Sequence, residues 1–543
     1  MLLFKLPLFQ IAADGEADRT NTDAVRSENR VTQMKKWMGF SGMAVTCAAI
    51  LLVLFIPAAN AQLANRGAGS KDLAVPAGSE FSEAPAKNSD PCAPGSSAIG
   101  AEPCAEKNSP RVSPSEERAE AQSQTWNWHV QSTITGDGYS SFSAKYTGPN
   151  SLPTAAQARE TVSLDFFGGR RLWRGAEFHA DLLTWQGFGL HDTLGIENFP
   201  DGEAYKAGTR APHSAIARFF IRQTIGFGGE KEAVPSDQLT LAGEQPVTRL
   251  TFTVGRYSVK DIFDANAYAN DPRTQFMSWS LVANAIWDYP ADALGYTTGV
   301  SAEFQRPKWA LRYGFFQLPS QRNGFTAESL YLTWPGEDSA GDGRFFHNWG
   351  MVAESERRYS IGGHPGVVRP LAFVNEGEFG SYKGALSVPG ANISQTAANR
   401  HSYGFGLNAE QEITKNIGVF SRAGWNDGHN EAWLYTDINH SGSLGVSVKG
   451  DAWRRSGDTA GLAAVMSGIS EINQQYLKAG GMGILDGDGN LNYGREFAME
   501  TYYDHVFPKQ IHVTMDYQYV ANPSFNRDRG PVSVFGTRIH WEF

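Results

Sequence analysis

Residues 295–316 read GYTTGVSAEFQRPKWALRYGFF, and this stretch decides the fold class. Within it, residues 296–304 place apolar or small side chains at every second position, and residues 309–316 repeat the pattern after a short break. Alternation with a period of two is typical of a β-strand with two different faces. We therefore predict a hairpin with one apolar face and one face that carries Glu303 and Arg312. A wall between lipid and an aqueous lumen has these two faces.

The turn fixes the expected register of this hairpin. Taking residues 305–308 as the connection places Phe304 opposite Trp309, and Ser301 then lies opposite Arg312. This pairing keeps apolar residues beside apolar or small ones and polar residues beside polar or small ones, so the register is self-consistent.

The same style of strand recurs over residues 125–543. Residues 126–134 alternate between apolar and polar, residues 162–182 form a second hairpin with a short turn, and the chain ends on the alternating strand 535–543. An open sheet edge in lipid would leave backbone groups without hydrogen bonds, so the last strand must pair with the first. We predict one all-β domain, a transmembrane antiparallel β-barrel.

Several motifs resemble the carbohydrate-selective outer-membrane porins, the OprB-type family. They are Gly255-Arg-Tyr-Ser-Val-Lys-Asp-Ile-Phe-Asp264, Asp271-Pro-Arg-Thr-Gln-Phe-Met277, Trp287-Asp-Tyr-Pro-Ala-Asp292, Trp309-Ala-Leu-Arg-Tyr-Gly314, Tyr146-Thr-Gly-Pro-Asn-Ser-Leu152, Phe199-Pro-Asp-Gly-Glu-Ala-Tyr205 and Gly487-Asp-Gly-Asn-Leu-Asn-Tyr493. The resemblance covers residues 126–543. It implies roughly 16 strands, a place in the bacterial outer membrane, and passive diffusion of mono- or oligosaccharides into the periplasm.

Composition narrows the other possibilities. The 543 residues include 47 Lys and Arg and 57 Asp and Glu, a net charge of −10 that argues against a nucleic-acid partner. The mean hydropathy of −0.36 excludes a bundle of membrane helices. It does not exclude a barrel, in which only alternate residues of each strand face lipid.

The N-terminal quarter divides into three segments by composition. Residues 34–61 combine a basic start, an apolar run and an Ala59-Asn-Ala61 cleavage pattern, which predicts a secretory signal peptide. Translation is then expected to begin at Met34, with residues 1–33 an upstream extension. Residues 62–124 are rich in Ala, Ser, Pro, Glu and Gly and predict a disordered periplasmic linker. Within it, Cys92 and Cys104 form either a disulfide or two free thiols.

Long and short connections alternate along the barrel. The turns at 173–175 and 305–308 are short, and segments 136–159, 187–213 and 257–293 on the opposite side are long, which makes the long ones extracellular. We expect loops 187–213 and 257–293 to fold into the pore and narrow it. The alternative for their charged residues is an ordinary solvated loop surface. The candidate residues for the constriction are Lys260, Asp261, Asp264, Asn266, Arg273, Arg218, Arg222, Glu303, Arg312, Asp192 and Glu203.

Sugar selection needs hydrogen-bonding groups and aromatic surfaces in a site that still releases its solute. The loop 257–293 supplies both, with Tyr257, Phe263 and Tyr268 as the aromatic candidates; the alternative for these rings is packing against the wall. We find no sequence motif for a hydrolase, metalloprotease or phosphate-binding loop in the mature part, and we predict no enzyme activity, cofactor or metal. The stretch Asp486-Gly-Asp-Gly-Asn490 lacks the spacing of an EF-hand loop and is read as a surface turn.

Three rival functions remain open. A non-selective or anion-preferring general porin is the nearest alternative. An outer-membrane barrel enzyme and a secreted, soluble β protein that binds carbohydrate without a channel belong to different classes. The terminal Phe543 resembles the C-terminal signature that the barrel-assembly machinery reads. Outer-membrane lipid surrounds the barrel, and a homo-oligomer is compatible with the family.

Overall fold

A computed structural model describes residues 123–204, 208–324, 330–333 and 346–543. The predicted upstream extension, the signal peptide and all but the last two residues of the linker, including both its cysteines, lie outside the described residues. So does Lys206, a further charged residue of the loop 187–213.

Nineteen strands occur in the described part of the chain. They are β1 (Trp126–Tyr139), β2 (Gln157–Trp173), β3 (Ala176–Gly187), β4 (Thr209–Gly226), β5 (Lys231–Val234), β6 (Gly243–Pro246), β7 (Arg249–Tyr257), β8 (Thr297–Arg306), β9 (Trp309–Leu318), β10 (Leu330–Thr333), β11 (Asn348–Ile361), β12 (His364–Gly377), β13 (Arg400–Thr414), β14 (Ile417–Asn426), β15 (His440–Lys449), β16 (Thr459–Gly468), β17 (Glu496–Phe507), β18 (Ile511–Ala521) and β19 (Val532–Glu542).

Sixteen of these strands form a closed antiparallel barrel, as predicted. Strand β1 pairs with β2 on one side and with β19 on the other, so the described sheet has no free edge at its seam. The remaining three strands are accessory. Strands β5 and β6 form a separate hairpin between β4 and β7, and β10 pairs with β4 beyond the point where β7 ends.

Helices are short in the described residues and lie in the connections. The α-helices are Trp279–Val282, Tyr382–Ala385 and Glu471–Lys478, and the 3-10 turns are Leu190–Thr193, Val259–Asp261, Pro389–Ala391, Ile393–Thr396, Gly450–Trp453 and Pro523–Phe525. Among the residues described, no helix has both the length and the apolar character needed to cross a bilayer.

The two faces of the strands follow the predicted alternation. Leu311, Leu444 and Phe535 point outward and are exposed, whereas Glu354 and Arg538 point into the lumen and are buried there. Apolar side chains on the outer face meet lipid, and polar side chains on the inner face find partners from the wall and the loops.

The predicted register of the β8–β9 hairpin is wrong by two residues. Phe304 lies opposite Leu311 instead of Trp309, and Glu303 lies opposite Arg312, which bonds to it. The turn therefore contains only Pro307 and Lys308. A shift of two residues leaves every side chain on its predicted face, so the alternation alone cannot distinguish the two registers. The observed register, which has the shorter turn, adds the Glu303–Arg312 ion pair.

Most connections at one end of the barrel are short, and those at the other end are long. The β11–β12 turn is Gly362-Gly363, whose φ angles of 61° and 87° suit the left-handed turn that a two-residue hairpin needs. We assign the short-turn end, where β1 begins and β19 ends, to the periplasm, and the long loops to the exterior.

The longest described loop, 258–296, folds into the lumen as predicted. Its Val259, Phe263 and Trp287 are buried in an apolar cluster with Phe316 and Phe373 of the wall. Phe263 contacts Trp287 and Phe316 edge to face, with ring centroids 6.3 and 6.1 Å apart. The loop therefore has its own apolar core inside the barrel, which leaves only part of the lumen open.

Candidate functional site: a chamber inside the barrel

A chamber of about 310 Å³ remains between the inward loop 258–296 and the barrel wall. Loop 188–208 contributes Glu203, strand β4 contributes Arg218, and loop 427–439 contributes Tyr435. Gln238 and Leu239 reach it from the opposite, periplasmic end. Five of the eleven predicted residues line it, namely Lys260, Asp261, Arg273, Arg218 and Glu203.

Arg218 connects the wall of the chamber to the inward loop. Its Nε and Nη2 donate to the two carboxylate oxygens of Asp261, each at 2.8 Å, and its Nη1 donates to Asp181 at 2.7 Å. The backbone N–H of Ser258 also donates to Asp261, at 3.0 Å. The guanidinium carbon lies 5.0 Å from the ring centroid of Tyr296. This bidentate pair fixes both charges at the chamber surface.

Arg273 and Glu203 form a second charged pair, between two different loops. Arg273 Nε lies 3.0 Å from a carboxylate oxygen of Glu203, and its Nη2 lies 3.5 Å from Asp165 on strand β2. The Ser163 hydroxyl donates to Glu203 at 2.7 Å. The chamber therefore has two ion pairs whose members come from separate segments of the chain.

Lys260 lines the chamber, whereas Asp264 and Asn266 lie behind it. Lys260 Nζ donates to the carboxylate of Asp264 and to the carbonyl of Val282, at 3.0 and 3.2 Å. Asp264 is buried and also accepts from Asn408 and Arg422 of the wall, at 2.7 and 3.1 Å. Burial alone would raise the pKa of Asp264, but the guanidinium of Arg422 and the ammonium of Lys260 hold it at about 2. Asp264 is thus an anchor of the loop, and Asn266, whose amide donates to Asn408 at 2.8 Å, is another.

Aromatic rings cover one side of the chamber. Trp279 stacks on Tyr435 with ring centroids 5.1 Å apart and planes inclined by 13°, and Tyr289 lies 4.2 Å from Tyr435. These rings differ from the predicted ones. Tyr257 and Phe263 are buried in the apolar core, and Tyr268 packs against a second apolar cluster, which includes Phe276 and Phe420.

Four of the remaining predicted residues do not reach the chamber. Arg222 lies on the periplasmic side of the chamber, where its Nη1 donates to the carbonyl of Leu239 at 2.8 Å. Glu303 and Arg312 belong to a ladder of charges on the inner wall, where Arg312 Nη1 lies 2.8 Å from Glu354. Asp192 is exposed in the Leu190–Thr193 turn and lines a separate surface cleft.

The segment from the periplasmic end is an element that sequence reasoning missed. Residues 227–248 carry the β5–β6 hairpin, and their tip, Ser236–Leu241, turns into the mouth of the barrel. Asn127 Nδ2 donates to the carbonyls of Asp237 and Thr240, at 3.0 and 2.9 Å. Gln238 Nε2 donates to Gln131 Oε1 at 2.8 Å. The length of this connection was the available signal, because periplasmic turns are ordinarily short.

A closed barrel of sixteen strands, apolar outside and narrowed inside by its own loop, is an outer-membrane porin. Residues 149–543 match the family described as carbohydrate-selective porin, OprB family, and the chain belongs to that family.

Two relatives illustrate the range of similarity. Porin AaxA of Chlamydia abortus (strain DSM 27085 / S26/3) is 23% identical over 314 residues, which is 56% of each chain, so the match spans about half the length of that relative. The high-pH structure of OprB from Pseudomonas putida has 14% identity and a TM-score of 0.55, and the alignment covers 77% of this chain and 94% of that one. The structural likeness supports the fold alone.

Proposed function

We propose that this protein is a sugar-selective porin through which carbohydrates diffuse passively across the outer membrane into the periplasm. The observation that carries the proposal is the chamber, which places fixed hydrogen-bonding pairs beside a cluster of aromatic rings. It goes beyond family membership because it names the residues that would contact the solute.

The charged pairs supply the polar half of a sugar site. A sugar is neutral and carries hydroxyl groups that both donate and accept hydrogen bonds. In the chamber, Arg218 and Arg273 donate, and Asp261 and Glu203 accept. Because each member is already held by its partner, the groups are positioned before the solute arrives, which lowers the entropic cost of binding.

The aromatic cluster supplies the apolar half. Trp279, Tyr289 and Tyr435 pack on one another and line the same chamber. The C–H face of a pyranose ring packs on such surfaces, and contacts of this kind are individually weak. Weak binding suits a pore, because a solute that binds tightly would not leave.

The charge of the chamber argues for a neutral solute. Its lining includes three basic side chains, Arg218, Lys260 and Arg273, and four acidic ones, Glu203, Asp261, Asp271 and Asp292. Because the two signs nearly cancel, the lining gives an anion no electrostatic advantage. A neutral solute is therefore favoured over the anion-preferring alternative. We propose accordingly that the protein acts as a channel and has no catalytic role.

The surroundings of the channel are part of the proposal. We propose that the N-terminal linker lies in the periplasm, because β1 begins at the short-turn end. We also propose that the assembly machinery recognises Phe543, whose ring is 43% exposed on the outer face beside Trp128. A homo-oligomer would use part of the apolar outer face.

Planar-bilayer recordings of the purified mature protein, titrated with glucose, maltose and sucrose, test the function. We expect stable current steps that fall saturably as one or more of these sugars is added. Steps that no sugar changes would leave a general porin and discard selectivity. A correctly folded barrel that gives no steps would contradict the channel itself and revive the enzyme alternative.

A further inference from the structure

Three extracellular loops bring three carboxylates together outside the chamber. Glu197 comes from loop 188–208, Asp437 from loop 427–439 and Asp486 from loop 469–495. All three side chains are buried, at 0%, 1% and 1% exposure. One oxygen of each lies within 4.8 Å of the others. The surface turn predicted for Asp486-Gly-Asp-Gly-Asn490 is therefore wrong for its first three residues, because the loop packs the carboxylates of Asp486 and Asp488 inward.

Two carboxylate oxygens in this cluster have no hydrogen-bond partner. Glu197 Oε2 accepts from the backbone N–H of Asp437 at 2.9 Å, and Asp486 Oδ1 accepts from the N–H of Gly483 at 3.1 Å. Glu197 Oε1 and Asp486 Oδ2 are buried without any such partner. Among the described residues, neither side chain forms an ion pair with Lys, Arg or His. A buried carboxylate oxygen in this position needs either a proton or a cation.

The backbone is shaped to let the carboxylates converge. A Cβ added at Gly483 would collide with Asp486 Oδ1 and with Asp437 Oδ2. Glycine at this position leaves room for both groups as they stand. The surrounding groups are also acidic or neutral: Glu496 lies nearby, and the Tyr382 hydroxyl donates to Asp437 at 2.8 Å.

The charges of the cluster point the same way. One oxygen of each carboxylate lies within 4.8 Å of the others, and among the described residues no basic side chain pairs with Glu197 or Asp486. Without a counter-ion the cluster is repulsive, and a divalent cation would remove that repulsion by binding all three groups at once.

We propose that Glu197, Asp437 and Asp486 form a binding site for a divalent cation of the Ca²⁺ type. The donors are oxygen atoms only, which suits a hard cation and excludes the sulfur and imidazole preferences of zinc or copper. Oxygens bound to Ca²⁺ at about 2.3–2.6 Å lie up to roughly 5 Å apart, which fits the observed spread. The site differs from an EF-hand because its ligands come from three separate loops.

The site lies next to contacts that hold the inward loop. Asn198, the neighbour of Glu197, accepts a hydrogen bond from the Ser278 hydroxyl at 2.9 Å and donates to Glu496 at 2.6 Å. Gly195 donates to the carbonyl of Leu485, at 2.8 Å, and so joins two of the ligand-bearing loops directly. A bound cation would therefore stabilise the extracellular rim and the outer side of loop 258–296 together.

Calorimetric titration of the chelator-treated, full-length barrel in detergent with CaCl₂ tests the site. We expect one Ca²⁺ per chain, and a rise in the thermal unfolding midpoint as Ca²⁺ is added. Glu197→Gln and Asp486→Asn should each weaken Ca²⁺ binding at least tenfold and abolish most of that rise. The double variant should fold even if a single one does not, because two isosteric amides remove the repulsion.

Asp488→Asn is the matched control. Asp488 lies two residues from Asp486, but its carboxylate already accepts from Ser151 and from Asn526 and lies 3.5 Å from Arg529. This variant should keep one Ca²⁺ site of unchanged affinity. The proposal is overturned if the wild-type chain binds no Ca²⁺ at millimolar concentration, or if the double variant binds it as the wild type does. In either case protons neutralise the cluster.

Discussion

At the scale of single residues, neighbouring positions in one loop have different roles. Lys260 and Asp261 line the chamber, whereas Asp264 and Asn266, only a few positions further on, bind the wall. All four belong to one polar stretch, and their residue types alone do not separate them. Whether a side chain lines the chamber or binds the wall depends on which side of the loop it occupies once the apolar core has packed.

The aromatic face of the chamber leads to a prediction about sugar affinity. Trp279→Ala should raise the sugar concentration that half-blocks the current by about two- to tenfold, because an aromatic contact is worth roughly 0.5–1.5 kcal/mol. The measurement is single-channel conductance against sugar concentration. Trp425→Ala, which removes an exposed ring of the outer face, is the control and should leave that concentration unchanged. Equal half-blocking concentrations in wild type and Trp279→Ala would remove the aromatic contact from the proposal.

The Arg218–Asp261 pair leads to a prediction about ion selectivity. Arg218→Gln leaves Asp181 and Asp261 without their shared cation, so the chamber becomes more negative. A unit charge about 4–8 Å away in water changes an ion's free energy by roughly 0.5–1 kcal/mol. The ratio of K⁺ to Cl⁻ permeability should therefore rise about two- to fivefold, measured as the reversal potential in a KCl gradient. Arg358→Gln, at the periplasmic end of the wall, should not shift it.

At the scale of elements, two segments enter the lumen from opposite ends. Loop 258–296 enters from outside on an apolar core, and the tip Ser236–Leu241 enters from the periplasm on hydrogen bonds to β1 and β4. Their attachments differ in kind, so their responses to substitution and to pH should differ as well.

The anchor of the inward loop should be insensitive to pH over a wide range. The pKa of Asp264 is depressed to about 2, so its stabilising contribution is complete above the unfolded-state pKa of about 3.9 and is lost as the pH falls through about 2. Asp264→Asn leaves Arg422 buried without its counter-charge, at a cost of roughly 3–5 kcal/mol. We expect this variant to give larger, noisier currents at both pH 5 and pH 8, and the wild type to give steady currents at both. Wild-type currents that become noisy at pH 5 would contradict this assignment.

The periplasmic tip should narrow the pore. Replacing residues 236–241 by a Gly-Ser sequence of equal length removes the side chains of Gln238 and Leu239 from the chamber. We expect a larger single-channel conductance and weaker block by sugar. The same replacement in the turn 450–453, which does not line the chamber, should change neither quantity. An unchanged conductance in the tip variant would show that the narrowest point lies elsewhere.

At the scale of the whole molecule, the last residue closes the ring. The backbone of Phe543 exchanges two hydrogen bonds with Val130, at 2.8 and 3.0 Å, and its ring lies 5.1 Å from Trp128. Deleting Phe543 should lower the yield of heat-modifiable barrel in the outer membrane, because two closing bonds worth roughly 0.5–1.5 kcal/mol each are lost with the ring contact. Phe543→Tyr keeps both and should assemble normally. Normal assembly of the deletion would mean that closure does not depend on this residue.

The wall of this molecule could be predicted from the sequence because period-two alternation is a local property. The faces of β8, β9 and β19 followed directly from it. The register at Phe304 could not be predicted in the same way, because a two-residue shift leaves the alternation unchanged. The chamber was predicted only in part. Lys260, Asp261, Glu203 and Arg273 lie in the stretches whose resemblance to the family suggested a site, whereas Trp279 and Tyr435 meet across more than 150 residues of sequence.

The carboxylate cluster was beyond prediction for the same reason. Glu197, Asp437 and Asp486 lie in three loops, and each alone resembles an ordinary turn residue. Their burial depends on how the loops pack against one another, which no local pattern encodes.

The entry of two segments from opposite ends also has a kinetic consequence. Loop 258–296 bounds the chamber on the extracellular side and the tip Ser236–Leu241 bounds it on the periplasmic side, so a solute in the chamber would stand between two barriers. Transport would then consist of two successive barrier crossings, with one binding site between the barriers. While that site is occupied, a second sugar molecule cannot enter. The flux would therefore saturate as the sugar concentration rises, without any conformational change in the channel.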